Sequence, residues 1–277
     1  MRFIKMHGIG NDYVYVDCFR KTVSEPEKLA VQISDRHFGV GGDGLILMMP
    51  SERADVRMRI FNADGSEAQM CGNGIRCLAK YVYESGISRK PEITVETLAG
   101  VLSLQLMTTA NGAVDKVKVN MGMPRLRRQD IPMRGEGHRV LGEKLTAGDR
   151  EFAVTCVSMG NPHCVIYVDD VAQFAVSHYG PLLEHHPQFP QRTNVEWIER
   201  LNQREIRQRT WERGSGETLA CGTGACAATV ASVLNGKTDR CVTVHLLGGD
   251  LEIEWADDEH VYMTGPAVEV FRGEWPD

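Results

Sequence analysis

The chain has 277 residues, of which 42% are hydrophobic and 25% are charged, a composition typical of globular proteins. Its 31 basic and 37 acidic side chains give a net charge of −6, which argues against nucleic acid as a partner. No run approaches the ~18 apolar residues that cross a bilayer, and the N-terminus lacks the apolar segment of a signal peptide. We therefore expect a cytoplasmic protein with no membrane partner.

Short runs rich in Val, Ile, Tyr and Phe recur between Gly, Asn and Pro residues, the pattern of β-strands. Strands are predicted at residues 13–17, 45–49, 56–62, 93–97, 101–106, 114–120, 152–157, 163–168, 194–199, 205–211, 242–245, 250–255 and 261–264. Helices are predicted at residues 26–37, 74–84 and 224–234, each followed closely by a glycine. Many strands with few helices indicate an α+β fold.

One sequence pattern occurs twice, 150 residues apart. Residues 61–74 (FNADGSEAQMCGNG) align without a gap on residues 211–224 (WERGSGETLACGTG), and an apolar helix is predicted after each. The alignment places Glu67 on Glu217 and Cys71 on Cys221. We therefore expect an internally duplicated chain with domains at residues 1–121 and 122–265, and with residues 266–277 returning to the first domain.

Each repeat places Cys-Gly-x-Gly between a strand and a helix. The first turn of a helix offers unpaired N–H groups and a positive dipole end, which suit a carboxylate and are expected to lower the pKa of a cysteine there. Two such thiols suit a racemase or epimerase, because one base removes an α-proton and an acid on the opposite face returns one. Neither motif contains a Lys for a pyridoxal phosphate aldimine, so we expect no cofactor.

Seven motifs together resemble the diaminopimelate epimerase family: residues 5–12 (KMHGIGND), 61–66 (FNADGS), 70–77 (MCGNGIRC), 158–164 (SMGNPHC), 211–217 (WERGSGE), 220–225 (ACGTGA) and 263–267 (MTGPA). The resemblance implies two similar domains, each a curved, mostly antiparallel sheet wrapped around a central helix, with the active site in the cleft between them. It also implies a homodimeric, cofactor-independent enzyme that interconverts LL- and meso-diaminopimelate in lysine and peptidoglycan-precursor synthesis.

The resemblance further implies roles for individual residues. Cys71 and Cys221 are the two acid/base thiols, and His163 and Glu212 tune them. The implied substrate-binding residues are Asn11, Asn62, Gly72, Asn73, Asn161, Asn194, Glu212, Arg213, Gly222 and Thr223. The sequence departs from the family pattern at Gly44, where many members carry Gln.

Other interpretations stay open. A proline or hydroxyproline racemase uses a related fold and paired thiols, although Glu212 and Arg213 suit a substrate with a distal charged centre. A non-catalytic relative could use the Cys71–Cys221 pair as a redox switch or act as a binding protein. Residues 39–44 (GVGGDG) fit the dinucleotide-binding pattern but follow a predicted helix instead of a strand. His163 has no second ligand at metal-binding spacing, so no metal is expected, and Cys77 and Cys226 are expected in the core.

Overall fold

The structure, a computed structural model, describes residues 1–276 and divides into two compact units. The first unit contains Met1–Asn120 and the chain from Thr264 onward, and the second contains Met121–Met263. Within the described residues, no helix combines the length and the apolar character needed to cross a membrane.

The first unit is a mixed sheet with two helices. Its elements are β1 (Arg2–Gly8), β2 (Asn11–Asp17), α1 (Pro26–Ser34), β3 (Gly44–Met49), β4 (Val56–Asn62), β5 (Glu67–Ala68), α2 (Gly72–Glu84), β6 (Glu92–Thr97), β7 (Gly100–Thr108) and β8 (Val114–Asn120). Most neighbouring strands are antiparallel, but β2 pairs with β3 and β4 pairs with β6 in parallel. Parallel neighbours need a crossover connection, and α1 and α2 lie on these two crossovers.

The second unit repeats this order. A short 3₁₀ turn (Arg128–Asp130) precedes β9 (Glu143–Ala147), β10 (Arg150–Ser158), β11 (Pro162–Tyr167), α3 (Val176–Glu184), β12 (Asn194–Arg200), β13 (Glu205–Glu212), β14 (Gly216–Thr218), α4 (Gly222–Leu234), β15 (Cys241–Leu246) and β16 (Gly249–Trp255). The parallel pairs are now β11 with β12 and β13 with β15, connected through α3 and α4. The chain then passes through β17 (Val261–Pro266) to β18 (Val268–Glu274).

Most strand pairings of the first unit have an equivalent in the second. In the first unit β18 is antiparallel to β1, as β9 is to β10 in the second. The series β1–β2–β3–β4–β6–β7 has the same pairing senses as β10–β11–β12–β13–β15–β16. The predicted α+β fold with internal duplication is therefore confirmed.

The structure differs from the sequence prediction at several elements. Helix α3 was not predicted, because its sequence VSHYGPLLE contains Gly180 and Pro181, two poor helix formers. Gly180 is required there, since a Cβ atom at this position would lie 2.5 Å from Cγ of Trp211. The strands β1, β9 and β18 were also not predicted, and α1 ends at Ser34 instead of continuing to residue 37.

A central helix in each unit is enclosed by the sheet. Helix α2 contacts β1, β2, β7 and β8, and α4 contacts β10, β11, β12, β15 and β16. Small residues let the strands approach α4 closely, because it carries Ala at positions 225, 227, 228 and 231, all fully buried. Cys77 and Cys226 are also fully buried on these helices, which confirms that they are core thiols. The outer helices α1 and α3 cover separate apolar clusters around Phe61 and Trp197.

Candidate active site

Cys71 caps the N-terminus of α2. Its backbone is extended (φ −136°, ψ 117°), and its sulfur accepts a hydrogen bond from the Gly74 N–H at 3.4 Å. A capping side chain at this position pairs with an N–H group that the helix itself leaves unpaired. The hydrogen bond and the helix dipole both favour negative charge on the Cys71 sulfur.

Two side chains from β2 lie beside the Cys71 sulfur. The thiol donates a hydrogen bond to Oδ1 of Asn11 at 3.3 Å. Burial raises the pKa of Tyr13 well above its ordinary value, and the adjacent Cys71 raises it further. The Tyr13 hydroxyl therefore keeps its proton and hydrogen-bonds the thiol as well as Asn11. Tyr13 was not predicted as a site residue, because it falls within an apolar strand pattern.

An ionic network holds Asn11 in place. Asn11 Nδ2 donates to Asp43 Oδ2 at 2.5 Å, and Arg36 bridges Asp43 (2.9 Å) and Asp12 (2.7 Å). The nearly buried Lys5 lies 2.5 Å from Asp12. Burial alone would raise the pKa of Asp12, but the hydrogen bonds from Arg36 and Lys5 outweigh it, so the pKa of Asp12 is lowered. These charges position the side chain that contacts Cys71.

Gly44 lies on β3, opposite Tyr13 of β2. A Cβ atom at Gly44 would lie 2.1 Å from the Phe61 carbonyl oxygen and 3.1 Å from Cε1 of Tyr13. This backbone therefore has no room for the Gln that many family members carry. The Tyr13 ring fills the adjoining space.

Cys221 occupies the N-cap position of α4, as Cys71 does in α2, but its side chain makes no capping hydrogen bond and its surroundings differ. It is 5% exposed, with φ −117° and ψ 107°, and its sulfur lies 3.6 Å from Oγ1 of Thr223. Burial raises the pKa of Cys221 well above its ordinary value, and the nearby carboxylates of Glu212 and Glu196 raise it further. The expectation that the helix N-terminus lowers the pKa is therefore wrong for Cys221, because desolvation and two acidic neighbours outweigh hydrogen bonds from Thr223 and Gly224.

His163 and Glu196 form a fully buried pair near Cys221. His163 Nδ1 lies 2.8 Å from Glu196 Oε1, and Nε2 lies 3.0 Å from Asn161 Oδ1. Burial raises the pKa of Glu196, an effect that His163 partly offsets. The sequence resemblance predicts a role for His163 but none for Glu196. The available indication was a carboxylate between Val195 and Trp197, two positions after Asn194 in a predicted strand.

The remaining predicted substrate-binding side chains fall into two groups. In the second unit, Asn194 Oδ1 accepts a hydrogen bond from the Arg213 N–H at 3.0 Å, and Glu212 accepts one from the Thr218 hydroxyl. Asn194 therefore orients the turn that follows Glu212. In the first unit, Asn62 donates to Ser66 at 3.0 Å, an interaction within its own hairpin.

The helix N-termini offer backbone donors beside each thiol. Gly72 and Asn73 open α2, and Gly222 and Thr223 open α4. Each helix has 13 residues, long enough for a full dipole. Such ends bind carboxylates through N–H groups. Among residues 1–276, no group of three or more His, Cys, Asp and Glu side chains is arranged to hold a metal ion.

Comparison with protein families and known sequences gives a consistent result. The family model described as diaminopimelate epimerase matches residues 3–127 and 155–270. The chain is 60% identical to the diaminopimelate epimerase of Pelotomaculum thermopropionicum, with 100% of this chain and 99% of the relative covered. It is 54% identical to the diaminopimelate epimerase of Methanococcus maripaludis strain S2, with 99% of each covered.

Comparison with solved structures identifies the same fold at lower identity. A phenazine biosynthesis protein of the PhzF family from Bacillus anthracis superposes with a TM-score of 0.73 at 19% identity, covering 100% of this chain and 99% of that one. A hydroxyproline epimerase from Agrobacterium vitis gives a TM-score of 0.68 at 15% identity, covering 99% and 90%. These structures share the two-repeat architecture.

Proposed function

The chain belongs to the diaminopimelate epimerase family, and we propose that it interconverts LL- and meso-diaminopimelate without a cofactor, using the thiols of Cys71 and Cys221. The observation that carries this proposal is the placement of one cysteine at the N-cap of the central helix in each of two equivalent units. Identity of 54–60% over the full chain to proteins named diaminopimelate epimerase supports the substrate assignment.

The proposed reaction is a two-base proton transfer at the α-carbon. In one direction the Cys71 thiolate takes the α-proton, and the electron pair of the broken C–H bond stays on carbon. The Cys221 thiol then donates its proton to the opposite face and becomes a thiolate. The raised pKa of Cys221 supports a protonated Cys221 in the resting enzyme. In the reverse direction the substrate binds the enzyme form in which the protonation of the two thiols is exchanged.

The carbanion that forms in this step needs electrostatic stabilisation. Backbone N–H groups of Gly72–Asn73 and Gly222–Thr223 are suited to bind the carboxylate of the reacting centre. Glu212 and Arg213 carry opposite charges, as recognition of a distal ammonium and carboxylate requires. A cyclic imino acid has no such distal centre, which disfavours a proline-type racemase. On the family pattern we further assign Asn11, Asn62, Asn161 and Asn194 to hold the substrate.

We also propose a cytoplasmic homodimer. All eight cysteines are free thiols, which fits a reducing compartment. The strand β18 exposes Val268, Val270 and Phe271, an apolar stretch that a second copy would cover. Sedimentation velocity tests the dimer: a mass of two chains supports it, and a single-chain mass contradicts it.

One experiment tests the reaction. The dialysed, reduced protein is incubated with meso-diaminopimelate in D₂O, and the α-deuterium content and the LL isomer are followed by NMR. We expect both to appear without any added cofactor, and we expect no exchange into L-proline under the same conditions. Absence of exchange into diaminopimelate would contradict the proposal, and exchange into proline instead would favour the racemase.

A further inference from the structure

A line of hydrogen bonds leads from a buried carboxylate to the sulfur of Cys221. Glu196 Oε1 lies 2.8 Å from His163 Nδ1, and His163 Nε2 lies 3.0 Å from Asn161 Oδ1. Asn161 Nδ2 donates to Thr223 Oγ1 at 3.2 Å, and this hydroxyl lies 3.6 Å from the Cys221 sulfur. We name these four contacts the Glu196 relay.

The acceptors in the relay determine where its protons lie. The amide oxygen of Asn161 can only accept, so His163 Nε2 must carry a proton. The short contact between His163 Nδ1 and Glu196 must also contain one proton, whichever of the two atoms holds it. The pair is therefore neutral overall, either as imidazolium with carboxylate or as imidazole with carboxylic acid. Because Asn161 Nδ2 already donates to Thr223, the Thr223 hydroxyl keeps its own proton for another acceptor.

We propose that Glu196 is a positioning residue that directs the Thr223 hydroxyl proton toward the Cys221 sulfur through His163 and Asn161. Glu196 keeps the proton of His163 on Nε2, and Nε2 fixes the orientation of the Asn161 amide. The Nδ2 group of Asn161 then donates to the Thr223 oxygen. The hydroxyl proton of Thr223 is left to donate to the Cys221 sulfur. This hydrogen bond stabilises the Cys221 thiolate when Cys221 acts as the base. The inference rests on the proposed function only for that catalytic role.

Among the residues that the structure describes, the first unit has no equivalent of this relay, although its fold is the same. His163 pairs with Asn194 across β11 and β12, and Tyr13 occupies the matching position opposite Gly44. A Cβ atom on Gly224 would lie 2.7 Å from Glu196 Oε1, and a Cβ atom on Gly74 would lie 2.7 Å from Cδ1 of Ile46. An apolar side chain therefore fills the corresponding place beside α2.

The comparison shows that packing alone does not require a carboxylate at Glu196. Ile46 is fully buried and fills the equivalent position in the first unit. Burying a carboxylate there instead carries a desolvation penalty. Oε2 of Glu196 has no hydrogen-bond partner among the described residues, so its pairing with His163 offsets only part of that penalty. The position therefore carries an unfavourable side chain, and its side-chain partner His163 connects it to Cys221.

A double-mutant cycle on the Cys221 thiol tests the relay without using any substrate. The rate constant for alkylation of Cys221 by iodoacetamide at about pH 8 is measured by mass spectrometry of its peptide. Glu196→Ile and Thr223→Val are each expected to lower this rate about tenfold, because both remove the hydrogen bond to the thiolate. Glu196→Ile leaves the net charge beside Cys221 unchanged, since the His163–Glu196 pair is neutral overall and His163 protonated on Nε2 alone is neutral too. Because both act through one hydroxyl, the double variant should match Thr223→Val alone. Effects that multiply to about a hundredfold would overturn the proposal.

Two further variants separate positioning from packing. Glu196→Gln keeps a donor for His163 Nδ1, so its rate should stay within about threefold of the unaltered protein. Gln208→Leu is the matched control, since Gln208 is buried on the neighbouring β13 and its side chain donates a hydrogen bond to Thr210, which lies outside the relay. It should leave the Cys221 rate unchanged. A Glu196→Gln rate as low as that of Glu196→Ile would overturn the proposal.

A measurement on the unaltered protein covers the case in which Glu196→Ile fails to fold. ¹⁵N NMR of His163 should show a protonated Nε2 from about pH 6 to about pH 9. An unprotonated Nε2 in this range would overturn the relay. If diaminopimelate is not turned over but the NMR and alkylation results are as expected, the relay stands and the proposed function fails.

Discussion

The ion pair of Lys5 connects the stability of the first unit to the position of Cys71. Lys5 is nearly buried, lies 2.5 Å from Asp12 and donates a hydrogen bond to the Gly41 carbonyl. Asp12 also binds Arg36 at 2.7 Å. The substitution Lys5→Met keeps an unbranched apolar stem of similar length and removes the ammonium group. It therefore isolates the contribution of the charge.

The expected cost follows from what Lys5→Met leaves unpaired. The Gly41 carbonyl loses its donor, and a buried polar group left in this way costs about 1–3 kcal/mol, whereas Asp12 Oδ2 keeps a hydrogen bond from Arg36 Nη1 at 3.3 Å. Breaking a buried ion pair that has no other partner costs about 3–5 kcal/mol. Because Asp12 keeps Arg36, the lower part of these ranges applies. We expect the free energy of unfolding to fall by about 3 kcal/mol.

The pH dependence provides an independent check on Lys5→Met. The pKa of Asp12 is lowered in the folded chain, so its ionised form stabilises the fold above about pH 4, the pKa of an unfolded Asp. This stability is lost as the pH falls through the lower, folded value. With Lys5 removed, the pKa of Asp12 lies closer to its ordinary value, so less stability remains to be lost in acid.

Urea unfolding followed by circular dichroism at about pH 7 and about pH 3 measures both effects. Lys144→Met is the matched control, because Lys144 pairs with Glu151 in full contact with solvent, and its removal should leave the unfolding curve unchanged. A loss for Lys5→Met below about 0.5 kcal/mol at neutral pH, or an unchanged acid dependence, would refute the reasoning.

Two further predictions concern the second unit. Gly180→Ala should lower the free energy of unfolding by about 1–2 kcal/mol, because the clash of the new Cβ with the Trp211 ring outweighs the gain in helix propensity. A melting temperature equal to that of the unaltered protein would contradict this prediction. Glu212→Gln should speed alkylation of Cys221 at about pH 8 by about three- to tenfold, since the Glu212 carboxylate raises the pKa of that thiol. An unchanged rate constant would show that the Glu212 charge does not affect the pKa of Cys221.

The repeat in the sequence was sufficient to predict two similar units and the two thiols, whereas the sheet around a central helix was implied by the family resemblance. The spacing of Cys71 and Cys221 placed both before glycine-rich helix starts, and both are N-caps in the structure. Helix α3 could not be predicted, because Gly180 follows from the close approach of Trp211, which is distant in sequence. A propensity for helix gives no information about such a long-range packing requirement.

The chemistry around the thiols was less predictable than their positions. A helix N-terminus lowers the pKa of a cysteine in isolation, but at Cys221 burial and the carboxylates of Glu196 and Glu212 reverse the effect. Those three residues lie on three different elements, so their proximity depends on the folded sheet. The roles of Tyr13 and Glu196 were not predicted for the same reason. Each lies in a strand pattern that indicates only burial.

The requirement for both thiols is tested most directly with single serine variants. Cys71→Ser and Cys221→Ser are compared with Cys241→Ser, a control at the exposed cysteine, for interconversion of LL- and meso-diaminopimelate. Because a positioned acid or base contributes about 10²–10⁴-fold, each of the first two variants should lose epimerisation by at least about a hundredfold, while the control retains it. Epimerisation at the unaltered rate in either Cys71→Ser or Cys221→Ser would contradict the two-base mechanism.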